Sequence, residues 1–180
     1  MIRYYVTDRR HADVLACAAR VVREGIDMIQ VREKDLPAAE LFDLVCKVRD
    51  LAGGSRTRVL VNDRLDIALA AGIDGVHLPA NGLPAERVRP LIKLLGVSTH
   101  TLKEAIAAEQ SGADFIVFGP IFDSPGKSAV GLEPLRKVAG SVKIPVLAIG
   151  GITAANTNEV LNAGAAGIAG IRLFQSALSG

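Results

Sequence analysis

Tryptophan is missing from this chain, and aromatic residues fill only 4% of its 180 positions. The core must therefore be aliphatic. Ala, Val, Leu, Ile and Gly dominate, the usual mix where parallel strands are covered by helices. Cysteine is nearly absent too. Cys17 and Cys46 each sit inside an amphipathic helical pattern, and neither joins a Cys/His cluster with zinc spacing. That sets aside a structural metal or a thiolate nucleophile and fits a reducing compartment. Excess charge is also lacking: 21 Lys and Arg face 19 Asp and Glu, a net +2. A general nucleic-acid binder needs a basic face, so none is expected here. No apolar run is long enough to span a membrane, and no secretory leader is evident. A cytoplasmic protein with neither membrane nor nucleic-acid partners is the expectation.

What is present is a repeat. "REGIDMIQV" (23–31), "AAGIDGVHL" (70–78), "QSGADFIVF" (110–118) and "NAGAAGIAGI" (162–171) each carry a Gly, a small or aliphatic residue, usually an Asp, and then an apolar run. The physical unit is a helix stopped by a left-handed Gly, then a short loop feeding a buried strand. The glycines stand at 25, 72, 112 and 164. Each interval holds two strand–helix units, so four repeats make eight strands, and one α/β domain over residues 1–180 is predicted: a (β/α)8 TIM barrel. The strands are read at Tyr4–Val6, Met28–Arg32, Val59–Asn62, Gly75–Leu78, Leu94–Ser98, Phe115–Gly119, Val146–Gly150 and Gly167–Ile171. Apolar stripes at Val14, Ala18, Val21 and Val22, and at Leu41, Leu44, Val45 and Val48, mark helices between them. Thr101 with Glu104 forms a capping box. Few residues follow the last strand, so the eighth helix is expected to be shortened or missing. A partner subunit, as in a homodimer, could cover what Leu173 and Phe174 leave open.

"IQVREKD" (29–35) poses the functional question, because a buried strand runs into four charges. In a barrel the C-terminal strand ends form one bowl that holds the chemistry. Gln30, Arg32 and Lys34 share parity and are predicted to point inward, with Glu33 and Asp35 outward, pairing on the rim. Lys127, in the loop after the sixth strand, and Arg172, after the eighth, would face the same bowl. Arg and Lys together suit phosphate, one by a two-pronged bond and the other as a point charge. "IGGIT" (149–153) is a second phosphate signal: Gly150 and Gly151 leave backbone N–H groups open ahead of a helix. Two anionic groups are thus expected, one near Lys127 and the second and third strands, one near the seventh and eighth. Asp63 beside Asn62 is a candidate Mg2+ ligand, since that ion commonly takes one or two carboxylates and fills its shell with phosphate oxygens and water.

Taken together, "YYVTD", "IQVREKD", "VLVNDRLDIALAAGIDGVHL", "GVSTHTLKEA", "GADFIVFGPIF", "IPVLAIGGI" and "NAGAAGIAGI" resemble the thiamine-phosphate synthase and thiazole tautomerase superfamily over nearly the whole chain. The synthase joins hydroxymethylpyrimidine diphosphate to a thiazole phosphate and releases pyrophosphate. The resemblance implies that Gln30, Arg32, Lys34 and Asn62 hold the pyrimidine diphosphate, that Asp63 binds Mg2+ and that Ser98 lines the pyrimidine pocket. It implies that Lys127 neutralises the leaving pyrophosphate, and that Gly151 and the backbone at Ile171–Arg172 hold the thiazole phosphate. Two stretches differ from the synthase pattern. "PANG" (79–82) places Gly82 where the synthase carries a second metal-binding Asp. "DSPGK" places Ser124 and Gly126 at the threonines of a Thr-rich loop. In the tautomerase branch, the resemblance implies that His100 moves a proton. A non-catalytic binder of phosphorylated ligands is the third reading.

Overall fold

The computed structural model describes residues 1–124, 126 and 128–175. Eight strands close into a barrel in sequence order, every neighbour parallel. They are β1 (Ile2–Val6), β2 (Met28–Val31), β3 (Arg58–Asn62), β4 (Gly75–Leu78), β5 (Leu94–Thr99), β6 (Phe115–Phe118), β7 (Val146–Ala148) and β8 (Gly167–Gly170). The helices follow in alternation: α1 (Val14–Arg23), α2 (Ala38–Ala52), α3 (Leu65–Ala71), α4 (Ala85–Val88), α5 (Leu102–Gln110), α6 (Leu132–Ala139), α7 (Thr157–Asn162) and α8 (Arg172–Gln175). The predicted barrel stands, and each predicted strand overlaps an observed one. Its eighth helix is present, and the described part is a single turn.

Strand alternation divides the core into two shells. Tyr4, Met28, Leu60, Phe115, Val117, Leu147 and Ala169 pack inside the ring. Residues of opposite parity, such as Tyr5, Ile29, Val31, Val61, Val76 and Leu95, pack outward against α1 to α4. Ile116, Phe118 and Ala148 do the same beneath α5 to α7. Phe174 of α8 lies against Tyr5, ring centres 6.2 Å apart, and Gln175 donates to the Tyr5 hydroxyl and the Asp8 carbonyl. The short last helix therefore seals the outer face beside β1 with its own residues.

The repeat has a second structural use. All four repeat glycines have positive φ, and Gly72, for example, ends α3 at φ 62. Two residues later the Asp turns back under the barrel. Asp27 accepts from the Arg3 N–H at 2.8 Å, Asp74 from the Val59 N–H at 2.9 Å, and Asp114 from the Leu95 N–H at 2.7 Å. Each carboxylate thus satisfies a donor at the start of the preceding odd strand, where the ladder leaves it open. Ala166 takes this place in the fourth repeat. These aspartates lie at the end of the barrel opposite the bowl, so they serve stability. Asp74→Ala is expected to lower unfolding free energy by about 1–3 kcal/mol, read as a lower urea midpoint with an unchanged slope.

Candidate active site

At the C-terminal strand ends the interior changes from apolar to polar in one step. Gln30 donates to the Tyr4 hydroxyl at 3.0 Å, that hydroxyl meets His77 Nδ1 at 3.2 Å, and His77 Nε2 meets the Ser98 hydroxyl at 2.8 Å. The four side chains come from β2, β1, β4 and β5 and share inward parity. His77 is 2% exposed. Burial pushes its pKa down to about 3, helped by the Arg32 charge nearby, so the ring is neutral. Room for it is reserved: a Cβ at Gly96 would lie 2.7 Å from His77 Nδ1 and 2.4 Å from Phe115. Burial raises the pKa of the Tyr4 hydroxyl, which stays protonated.

Above this floor the charges are distributed unevenly. Glu33 was expected on the outer rim, and the structure corrects this. Glu33 is 4% exposed, accepting from Thr7 Oγ1 at 2.6 Å and from the Arg9 N–H at 3.2 Å. The reason is that β2 ends at Val31, so alternation no longer governs the residues beyond it. Lys34 for the same reason does not continue the inward row; it is exposed and lines a cleft of about 280 Å3 with Asn62, Asp63 and Arg64. Asp35 does stand on the rim, paired with Arg9 at 2.7 Å. Asp8 is consumed by its own loop, bonding Arg10 at 2.9 Å and His11 at 3.0 Å. The Arg10 bonds hold its carboxyl down at about 2. Arg32 and Lys34 make no ion pair among the described residues, which leaves two cations for an external anion.

Asp63 crowns β3 with φ 61, an uncommon backbone state for a residue with a side chain, and its N–H bonds the His77 carbonyl at 2.9 Å. Its exposed carboxylate makes no hydrogen bond or ion pair among the described residues. Arg64 instead pairs with Asp66 at 2.6 Å. A Cβ at Gly82 would lie 3.0 Å from Asp63 Oδ1, so residue 82 does face this carboxylate. Among the described residues no three His, Cys, Asp or Glu side chains form a metal cage. The donor set fits a cation that brings most of its own oxygen ligands.

On the opposite side Gly150 and Gly151 have φ of 97 and 63, and both lie under the loop that follows β6. Side chains there would collide with Pro120 at 2.4 Å and Phe122 at 2.7 Å. The glycines therefore permit a close backbone approach, in which the Phe122 N–H bonds the Gly150 carbonyl at 3.0 Å. Ser124 lies on that loop, half-buried, while Ile171 and Arg172 join β8 to α8. Lys127 falls outside the described residues. His100 donates from Nδ1 to the Gly119 carbonyl at 2.7 Å and lines a cleft of about 420 Å3 between α5 and α6 with Leu102, Phe118 and Val138. Its ring thus sits among groups on the outer side of the strands. Tyr4 is the polar interior residue that a charge-led reading passes over; inward parity is the signal that groups it with Gln30, His77 and Ser98.

The family model described as thiamine monophosphate synthase matches residues 3–174. The thiamine-phosphate synthase of Roseiflexus sp. (strain RS-1) is 40% identical over 181 residues, covering 93% of this chain and 75% of that protein. That of Methanoculleus marisnigri is 40% identical over 179 residues, covering 92% and 83%. Among solved structures, a thiamine phosphate pyrophosphorylase from Pyrococcus furiosus superposes with a TM-score of 0.89 at 38% identity, covering 95% of this chain and 85% of that one.

The neutral buried histidine sets a pH dependence. Its ordinary pKa is 6.5 and its folded value about 3, so the unfolded chain binds the extra proton between them. Stability should be fully present above pH 6.5 and fall as pH drops toward 3. Measured by thermal unfolding across that range, His77→Gln should flatten this part of the profile.

Proposed function

The chain belongs to the thiamine monophosphate synthase family, and on that premise we propose that it joins hydroxymethylpyrimidine diphosphate to thiazole phosphate with release of pyrophosphate. The observation that carries this reading is a pair of cations without ion-pair partners among the described residues, Arg32 and Lys34, beside a polar interior floor and the open Asp63 carboxylate. Arg32 and Lys34 grip the diphosphate, with Lys127 as a third cation on the loop after β6. Gln30, Asn62 and Ser98 hold the pyrimidine. Gly150, Gly151 and the backbone at Ile171–Arg172 take the thiazole phosphate, and Ser124 contributes from the loop above them.

The chemistry asks for charge stabilisation and positioning. The bond from the pyrimidine methylene to the diphosphate oxygen breaks, and its electron pair leaves with pyrophosphate. The thiazole nitrogen lone pair then forms the new carbon–nitrogen bond, and no proton is removed. Arg32 and Lys34 stabilise the departing charge, which is the dominant requirement. The buried floor excludes water from the cationic carbon, and two anchored phosphates set the angle of attack. Asp63 would hold Mg2+, which when bound supplies further neutralisation of the diphosphate. With no acid at residue 82, Asp63 would be the one protein carboxylate holding that ion, and the rest of its shell would come from other oxygens. The free thiols Cys17 and Cys46 support a cytoplasmic setting.

A pyrophosphate-release assay with both substrates and Mg2+ tests this. Arg32→Ala and Asp63→Ala should each lower turnover by about 10²-fold or more. Gly82→Asp should reduce the Mg2+ concentration needed for half-maximal rate. If Arg32→Ala and Asp63→Ala leave turnover intact while His100→Ala abolishes it on a carboxylated thiazole phosphate, the reaction is the proton transfer of the tautomerase branch instead.

A further inference from the structure

We propose that Tyr4 and His77 are positioning residues that give the hydrogen-bond chain across the barrel one direction, so that Ser98 presents a hydrogen and Gln30 a lone pair to a ring bearing an amino group and a bare ring nitrogen. This rests on the reading of the bowl as a pyrimidine diphosphate site.

The argument begins with the number of hydrogens. Tyr4 Oη is fully buried and, among the described residues, lies between two groups, Gln30 at 3.0 Å and His77 Nδ1 at 3.2 Å. Its hydroxyl carries one hydrogen. When the Gln30 amide nitrogen donates to it, that hydrogen has one acceptor left, Nδ1. A neutral imidazole with Nδ1 accepting carries its hydrogen on Nε2. The Nε2–H then donates to Ser98 Oγ at 2.8 Å. Ser98 is only partly buried, and its own hydrogen is left to point into the bowl. The opposite tautomer would send Nδ1–H to Tyr4 and leave a buried phenolic hydrogen with no acceptor, unless the Gln30 amide also turned over.

The orientation of that amide is set by charge. Arg32 follows the inward-facing Gln30 by two residues, one past the end of β2, and its charge reaches as far as His77. A cation beside the mouth favours the amide carbonyl facing it and the NH2 group facing Tyr4. Gln30 is 3% exposed, yet its carbonyl oxygen is not among the sealed, unpartnered oxygens of the described residues. The chain therefore runs from Gln30 through Tyr4 and His77 to Ser98, with an acceptor left at its start and a donor at its end. Gly96 keeps the His77 ring in this path, since any side chain there would strike Nδ1.

Such a polarised pair reads an amino ring and refuses its oxo counterpart. An amino group offers hydrogen to Gln30, and a bare ring nitrogen accepts from Ser98. In the oxo form the exocyclic group becomes an acceptor and the ring nitrogen carries hydrogen, so both contacts are mismatched.

Two measurements test this. In the ligand-free protein, 15N NMR of the histidine rings, assigned through His11→Gln and His100→Gln, should find the hydrogen of His77 on Nε2; a hydrogen on Nδ1 overturns the proposal. Calorimetry with Mg2+ should find the aminopyrimidine diphosphate bound at least about tenfold more tightly than its oxo analogue. In Tyr4→Phe that ratio should fall to within about threefold, while inorganic pyrophosphate binds as before. A ratio unchanged in Tyr4→Phe, or an oxo preference in the unaltered protein, overturns the proposal. If neither ring compound binds better than pyrophosphate, the pyrimidine reading of the bowl falls instead, and the histidine tautomer still decides the direction of the chain.

Discussion

The upper half of this barrel depends on the burial of one side chain, Tyr4. Its ring belongs to the apolar interior, edge-on to Phe115 with centres 5.5 Å apart and planes at 84°. Its hydroxyl belongs to the polar layer, between Gln30 and His77. A long amphipathic aromatic can close an apolar core and start a hydrogen-bond network with the same atoms. The consequence is a sharp boundary: Met28, Leu60 and Leu147 fill the ring below it, and groups able to meet a ligand lie above. Because the floor is packed, it cannot relax when a hydrogen bond is lost, and each polar contact must be satisfied by its neighbours or by what binds.

The two ends of the barrel use acids differently. At the closed end Asp27, Asp74 and Asp114 saturate strand N–H groups and stay where the chain folds them. At the open end Asp8, Glu33 and Asp35 are engaged by Arg9, Arg10, His11 and Thr7. These acids could have neutralised Arg32 and Lys34 and are held elsewhere. A near-neutral protein thus builds a local cationic site by pairing its anions with other partners. The Glu33–Thr7 bond links β1 to the β2–α2 loop, and the Arg32 N–H donates to the same Thr7 oxygen at 2.9 Å, so the loop that carries the cations is tied to the strand that carries Tyr4.

The even-numbered strands were legible because each is a short apolar run after a turn glycine, and the spacing of those glycines left room for one more strand between them. Inward parity correctly placed Gln30, which lies on continuous strand. It failed at Glu33 and Lys34, two and three residues past the end of β2, where loop hydrogen bonds decide direction. Gly150 and Gly151 show a different limit: a pair read as open backbone also serves the packing of the β6–α6 loop, a contact distant in sequence that no local pattern reports. His77 is a satisfied histidine, with both ring nitrogens partnered. Its partners Tyr4 and Ser98 are 73 and 21 residues away, so the network exists only once the barrel closes.

The missing acid at residue 82 bears on how such a site is assembled. In the proposed site, one carboxylate at Asp63 would hold a divalent cation weakly, because most of its oxygen ligands must come from water or substrate. Affinity for the ion would then rise sharply when a diphosphate arrives, and the ion would in turn tighten the diphosphate, since coupling between two ligands is reciprocal. A site of this kind gives up resident metal and gains dependence on its substrate. The protein's part is reduced to two cations, an oriented carboxylate and a rigid floor. Those are also the parts that folding itself supplies: φ of 61 at Asp63 is secured by its backbone bond to His77, the same residue that anchors the polar floor. In the proposed site, metal position and ring recognition would thereby be coupled through the end of β4, where the Asp63 N–H meets the His77 carbonyl.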